Sequence, residues 1–271
     1  MMANVPPLLP GDPERKKTKD ETTEMKGSEV VKSVAADSVS LGVSGEEKQP
    51  VNSLMEAAEA VLRQPRRVYY QVGESKGARL TLLLSFLGIL GLLGYGFVVG
   101  TFSGGEQMWA APVKVAGGVL ASGIICLPSL YIFSCLAGSK ASFRQVVGLV
   151  AGLIAIMTLL LVGFAPVAWV FSQSTESVTM MGFLHLMFWT VAMYFAAEFF
   201  KGGFQAMVVE RENGVLKVWL TVFVVVVLQM STALRPIIGT ADTFLPDEKR
   251  FFVGHWFESF EKGVNQRGHR K

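Results

Sequence analysis

Three polar side chains stand inside otherwise apolar parts of the sequence, and their types could support ligand binding. His185 lies within one hydrophobic stretch, and Gln229 and Thr232 share one helical face in another. An imidazole, an amide and a hydroxyl at similar depth in a membrane could form a polar layer that hydrogen-bonds a ligand. The alternative is a single hydrogen bond between two helices, which contributes about 0.6–2 kcal/mol.

The sequence lacks the residue patterns of common catalytic and cofactor sites. It has no HExxH zinc motif, no GxSxG nucleophile motif and no glycine-rich phosphate loop. No Asp or Glu lies at mid-bilayer depth, where an ion-coupled carrier usually needs a carboxylate. The 2 cysteines, Cys126 and Cys135, have no histidine nearby and do not predict a metal site. We therefore expect no catalytic residues, no cofactor and no metal ion.

The composition indicates that membrane helices position these polar residues. Hydrophobic residues make up 51% of the 271 positions and charged residues only 17%, whereas soluble domains have about 25% charged residues. An apolar helix of about 20 residues crosses the hydrocarbon core, and in lipid only a helix satisfies its own backbone groups. The sequence thus predicts an all-α, polytopic membrane bundle (residues 80–235) of five transmembrane helices, at about 80–101, 112–136, 146–171, 178–200 and 215–235.

Prolines and small residues modify these predicted spans. Pro128 and Pro166 lie inside the second and third spans, where each removes a backbone hydrogen bond and bends its helix. A kink is the simpler interpretation, and a break that lines a substrate path is the alternative. Glycine and alanine recur at four-residue spacing in several spans, which indicates close approach of neighbouring helices.

The region before the first span is polar and divides into two parts. Residues 1–50 contain no aromatic residue and are predicted to be a disordered tail. Residues 51–79 begin with a possible capping box, Ser53 and Glu56, and continue as a short helix with an apolar face. The basic residues Arg66 and Arg67 follow. We expect an amphipathic helix on the membrane surface, anchored by these two arginines among the lipid headgroups, or alternatively a helix packed on the protein.

The C-terminal tail, residues 236–271, contains a second candidate for an interfacial helix. Phe252, Trp256 and Phe260 recur every four residues, on one face of a segment too short and too charged to span a membrane. The pattern predicts an amphipathic helix with Trp256 as an interfacial anchor. Packing of this tail against the bundle is the alternative.

The distribution of Lys and Arg predicts the orientation. These residues precede the first span and occupy the loops between spans two and three and between spans four and five, and they are missing from the two other loops. By the positive-inside rule, the N-terminus faces the cytoplasm and the C-terminus the opposite side. The formal net charge of +3 is too small to predict nucleic-acid binding. The expected location is a bacterial cytoplasmic membrane.

The order of these parts resembles the Yip1 family of multi-spanning membrane proteins, particularly its bacterial members. The resemblance covers about residues 60–235 and is carried by two segments, EAVLRQPRRVYY, which ends at Tyr70, and LAGSKASFRQVVGLV at 136–150. It implies five spans and a scaffold-like role, which in eukaryotic members serves membrane trafficking through small GTPases. It assigns no functional residue to this chain.

Two functions remain open from the sequence. The first is a non-catalytic scaffold or interaction protein of the membrane, whose partners would be the lipid bilayer and a protein bound through the N-terminal tail, or a second copy of the chain. The second is a carrier or channel for a small molecule or lipid, with His185, Gln229 and Thr232 as its polar layer.

Overall fold

The computed structural model describes residues 41–42, 44–74, 77–103, 107–136, 141–174, 178–207 and 213–233. Within these ranges the chain forms seven helices and no strand, so the all-helical prediction is confirmed. The helices are α1 (Leu54–Arg63), α2 (Pro65–Gly73), α3 (Gly77–Ser103), α4 (Gln107–Leu136), α5 (Phe143–Ser174), α6 (Val178–Met207) and α7 (Asn213–Ala233).

Four of these helices, α3 to α6, are long and apolar enough to cross a membrane. They correspond to the first four predicted spans and extend beyond most of the predicted limits. The apolar part of α7, Leu216–Met230, is shorter than a full span. The described residues therefore contain four candidate spans. Trp256 and the predicted C-terminal helix lie outside these residues.

Helix α5 lies at the centre of the bundle. Most of its apolar stretch is buried, whereas less than half of the corresponding stretch is buried in each of the other three long helices. It packs mainly against α3 and α6, while α4 packs against α3 and α7. The contact between α6 and α7 is much smaller. We call the end of the bundle formed by Gly77, Leu136, Phe143 and Met207 the near end, and the opposite end the far end.

Glycines allow the close helix contacts that the small-residue pattern predicts. A Cβ atom at Gly91 of α3 would overlap the methyl group of Thr158 on α5, and one at Gly152 of α5 would lie 2.6 Å from the ring of Phe199 on α6. Neither approach leaves room for a larger side chain without displacement of its neighbour.

The helices α1 and α2 pack against the near end of the bundle, where they contact α3 and α5, and α2 also contacts α6. Helix α1 begins at the predicted capping box, in which the Ser53 hydroxyl accepts a 3.2 Å hydrogen bond from the Glu56 amide. The buried side of α1 differs from the apolar face that the sequence pattern predicts, which consists of Leu54, Met55, Ala58, Val61 and Leu62. Ala57, Ala60 and Val61 are buried, while Met55 and Leu62 of that face are exposed, because the small alanines let α1 approach the bundle more closely.

Residues 44–50 also differ from the disordered tail to which the sequence pattern assigns them. They form turns along α2. Glu47 forms an ion pair with Arg66, with 2.8 Å between the carboxylate oxygen and the guanidinium Nε. The described part of the chain thus includes residues before the predicted boundary at 50. Residues 1–40 lie outside the described ranges.

Candidate functional site

The buried pair His185 and Tyr95 forms the clearest polar feature in the far half of the bundle. The Tyr95 hydroxyl and the Nδ1 atom of His185 are 2.7 Å apart, and the two rings meet edge to face with centroids 5.7 Å apart. Tyr95 is 0% exposed and His185 is 2% exposed. The bond connects α3 with α6, two helices that otherwise barely touch. His185 therefore makes the interhelical hydrogen bond that the sequence left as one of two alternatives.

The two other members of the predicted polar layer lie on α7. Gln229 is half-buried and takes part in an interaction within the chain. Thr232 is helical, and its side chain is outside the described part of the structure. Helix α7 packs chiefly on α4. A layer that unites all three residues stays a prediction.

Two further buried polar atoms lie near this pair and were missed by the sequence reasoning. Among the described residues, the indole nitrogen of Trp189 and the hydroxyl of Thr158 have no hydrogen-bond partner. Trp189 lies one turn after His185 on α6, and its indole nitrogen approaches the Tyr95 hydroxyl without forming a bond of normal geometry. The four-residue spacing from His185 to Trp189 could have indicated that the two polar groups lie on one face of α6. A lone tryptophan in an apolar segment, however, predicts only a buried core residue.

A backbone carbonyl two positions before Pro128 binds side chains from two helices. The carbonyl oxygen of Cys126 accepts a 2.8 Å hydrogen bond from Ser129 and a 3.1 Å hydrogen bond from the indole of Trp219 on α7. Trp219 in turn stacks on Phe200 of α6, with ring centroids 5.2 Å apart. The Trp219 bond connects α7 to α4.

Both prolines lie on exposed faces of their helices, and the helices continue through them. A break at Pro166 would therefore face outward from α5, and one at Pro128 outward from α4. This position fits a kink better than it fits the lining of an internal path.

A second polar site joins α2 to the near end of the bundle. The Tyr69 hydroxyl donates a 2.7 Å hydrogen bond to the carbonyl of Phe199. Its ring fills the space left by Gly203, where a Cβ atom would lie 2.9 Å from it. Burial raises the pKa of Tyr69 above its ordinary value, so this hydroxyl remains a donor at physiological pH.

The predicted anchors Arg66 and Arg67 bind groups of the chain itself. Arg66 pairs with Glu47, and Arg67 donates a 3.0 Å hydrogen bond to the carbonyl of Gln49. Both are half-exposed. Their role as lipid anchors stays a prediction.

Three other charged residues lie near the ends of the apolar segments. The three-residue spacing of Glu198 and Lys201 predicts an ion pair, and their carboxylate and ammonium groups are 2.6 Å apart. Lys114, near the start of the second predicted span, would be expected to extend toward water, but it is 4% exposed and engaged within the chain. Its position between α3 and α7 on the far half of α4 explains the difference, because both neighbours cover that helix.

No group of three or more His, Cys, Asp or Glu side chains suited to a metal ion occurs in the described ranges. Comparison with protein-family models, with curated proteins and with solved structures finds no match for this chain. The Yip1 resemblance stays a prediction, and function must be inferred from the residues themselves.

Proposed function

We propose that this chain is a non-catalytic integral membrane protein, a Yip1-like scaffold or interaction protein that serves membrane organisation or trafficking. The observation that supports this most directly is the firm attachment of α1 and α2 to the near end of the bundle. Such an attachment provides a fixed base, next to the membrane, for the polar segment 1–40. We name residues 44–74 the platform.

Contacts along its whole length hold the platform in place. Tyr69 binds the backbone of α6, and Arg144 and Gln145 of α5 donate hydrogen bonds of 3.3 Å and 3.1 Å to the last carbonyls of the platform. Arg79 of α3 donates a 3.2 Å hydrogen bond to the carbonyl of Asn52. Three membrane helices are thus bonded to one polar segment, an arrangement suited to presenting a binding surface rather than to transporting a solute.

The proposal includes a topology. We infer that α7 continues as a fifth span, that the platform faces the cytoplasm of a bacterial cell and that the C-terminus faces the opposite side. The support is the clustering of Lys and Arg at the near end, which includes Arg79, Arg144 and Lys201. We also propose that Met55 and Leu62, exposed on α1, contact the membrane surface.

Affinity purification from native membranes in a mild detergent, followed by mass spectrometry, tests the scaffold function. A variant that lacks residues 1–40 keeps Leu41 and the whole platform. We expect it to insert and fold normally, and to lose a stoichiometric protein partner that the full chain retains. A chain that carries a shuffled sequence at 1–40 is the matched control, because it keeps length and composition.

Two results would contradict the scaffold function. Retention of every partner by the shortened chain would remove the role of residues 1–40. Purification of the full chain without any stoichiometric partner would favour a carrier or channel instead.

The carrier or channel is the second candidate, favoured by the buried His185–Tyr95 pair in the far half. Under this alternative, His185→Leu would abolish flux of the transported molecule in proteoliposomes while abundance stays normal. Unchanged flux in that variant would leave the polar pair with a structural role.

A further inference from the structure

Residues 44–50, which we call the strap, lie along the outer face of α2 and bind it through polar contacts. Of these seven residues only Glu47 is buried. Its carboxylate pairs with the guanidinium of Arg66 at 2.8 Å and also accepts a hydrogen bond from the amide of Gly42. Because the strap buries so little apolar surface, we expect it to open more readily than the helices of the platform.

The outer face of α2 binds main-chain groups of this segment. The carboxamide of Gln71 donates to the carbonyl of Gln49 and accepts a 3.2 Å hydrogen bond from the amide of Val51. Arg67 donates hydrogen bonds of 3.0 Å and 3.4 Å to the carbonyls of Gln49 and Pro50. These bonds use backbone groups, so a peptide of another sequence can also form them.

The charge on this face adds a preference for an acidic ligand. Arg66, Arg67, Tyr70 and Gln71 form the face, and they contribute two guanidinium groups and no carboxylate. Guanidinium groups bind carboxylates through strong, charge-assisted hydrogen bonds, and complementary charge selects a partner. A lipid headgroup would use the two arginines but would not supply the paired backbone C=O and N–H groups that Gln71 binds. The chemistry of the face therefore favours a peptide.

From these contacts we propose that the outer face of α2 is the docking surface for an acidic peptide segment of a partner protein, and that the strap covers this surface as an autoinhibitory contact. The partner's carboxylate takes the place of Glu47 on Arg66, and its main chain takes the place of Gln49 on Gln71. Because the strap is joined directly to α1, its effective concentration at this face is about millimolar, so a weak ligand does not displace it. This inference rests on the scaffold function and names the surface at which a partner binds.

Binding of a fluorescent peptide to the purified full chain in detergent tests the surface. The probe has the chain's own sequence at 44–51, SGEEKQPV, with blocked ends, and fluorescence anisotropy measures its affinity. We expect weak binding to the wild-type chain and about tenfold tighter binding to Glu47→Gln, whose strap has lost the ion pair. Glu46→Gln is the matched control, because it makes the same change on an exposed side chain of the same turn.

Further variants, made in the Glu47→Gln background, assign the binding to α2. We expect Arg66→Gln and Gln71→Leu each to weaken peptide binding several-fold, and a probe with Gln at the position of Glu47 to bind as weakly. Circular dichroism and gel filtration establish that each variant folds.

Hydrogen exchange provides a test that needs no variant. Saturating peptide should speed amide exchange of residues 44–50 in the wild-type chain, because the strap leaves α2. Exchange of α1, Leu54–Arg63, should stay unchanged, because the platform helices remain attached to the bundle.

The proposal is overturned if the peptide binds the wild-type chain and Glu47→Gln equally, or binds neither. It is also overturned if Glu47→Gln gains affinity only for phosphatidylglycerol vesicles, because α2 would then be a lipid-binding surface. A stoichiometric partner in the purification without peptide binding would contradict this docking surface alone. Peptide binding with no partner in the purification would contradict the scaffold function alone.

Discussion

Tyr69 and Phe199 are joined by a buried 2.7 Å hydrogen bond from a side-chain hydroxyl to a backbone carbonyl, across 130 positions of sequence. The same tyrosine ring lies against Gly202 and Gly203, and its centroid is 5.0 Å from that of the Phe199 ring. One residue of a polar, amphipathic segment thereby fixes that segment to a membrane helix. This contact makes the platform part of the bundle's fold and not an appendage to it.

Substitutions that remove this contact should lower the free energy of unfolding. We expect Tyr69→Phe to lower the free energy of unfolding by about 1 kcal/mol, the usual contribution of one hydrogen bond. Gly203→Val should cost about 1–3 kcal/mol by overpacking against Leu149 and the tyrosine ring. Thermal unfolding in detergent measures both, with the half-buried Tyr70→Phe as control. Equal effects at Tyr69 and Tyr70 would contradict this account.

The contact between α3 and α5 predicts a mutation and its rescue. Gly91→Ala places a methyl group against that of Thr158 and should cost about 1–3 kcal/mol, whereas Thr158→Ser removes the opposing methyl. We expect the double variant to recover most of the loss in a denaturation experiment. Gly94→Ala has open space and should be neutral or stabilising by up to about 1 kcal/mol. Absence of rescue would mean that the two methyl groups do not meet.

The indole of Trp219 should hold α7 beside Pro128. Trp219→Phe keeps the ring stack on Phe200 but removes the donor to Cys126, so we expect a loss of about 1 kcal/mol. Because Ser129 donates to the same carbonyl, Ser129→Ala should be non-additive with it by about 0.5 kcal/mol or more. The exposed Trp109→Phe serves as control. Additive losses in the double-mutant cycle would argue against a shared acceptor.

The topology predicts opposite locations for two reporter fusions. A reporter fused after Lys140 should give a cytoplasmic signal, because that loop is basic. A reporter fused after Lys271 should give a signal on the other side, because α7 makes a fifth crossing in the proposed topology. Alkaline phosphatase and green fluorescent protein fusions distinguish the two sides. A cytoplasmic signal after Lys271 would mean four or six spans and would contradict the five-span topology.

The long helices were predictable because their signal is local. Twenty consecutive apolar residues must form a helix in lipid whatever they pack against, and the Glu198–Lys201 pair follows from its three-residue spacing. The partners of His185 and of the Cys126 carbonyl were not predictable in this way. Tyr95 and Trp219 lie 90 and 93 positions from the residues they bind, and each reads as one aromatic residue among many until packing selects it.

The apolar face of α1 shows a different limit. Both sides of this short helix carry apolar residues, so periodicity could not decide which side meets the protein. The side that contains Ala57 and Ala60 is buried, because these small residues allow a neighbouring helix to pack closely. The buried side of α1 is therefore determined by side-chain size as well as by hydrophobicity.

The arginines of the platform and its neighbours have a consequence for biogenesis. Under the proposed topology, charges such as Arg67 and Arg144 orient the chain during membrane insertion, before any tertiary contact exists. In the folded protein the same side chains close onto backbone carbonyls of Gln49 and Glu74. The same residues thus act first in insertion and later in the folded structure, and Arg→Lys substitution distinguishes the two roles. Lysine preserves the positive charge that orients insertion but lacks the forked guanidinium geometry that binds the backbone carbonyls.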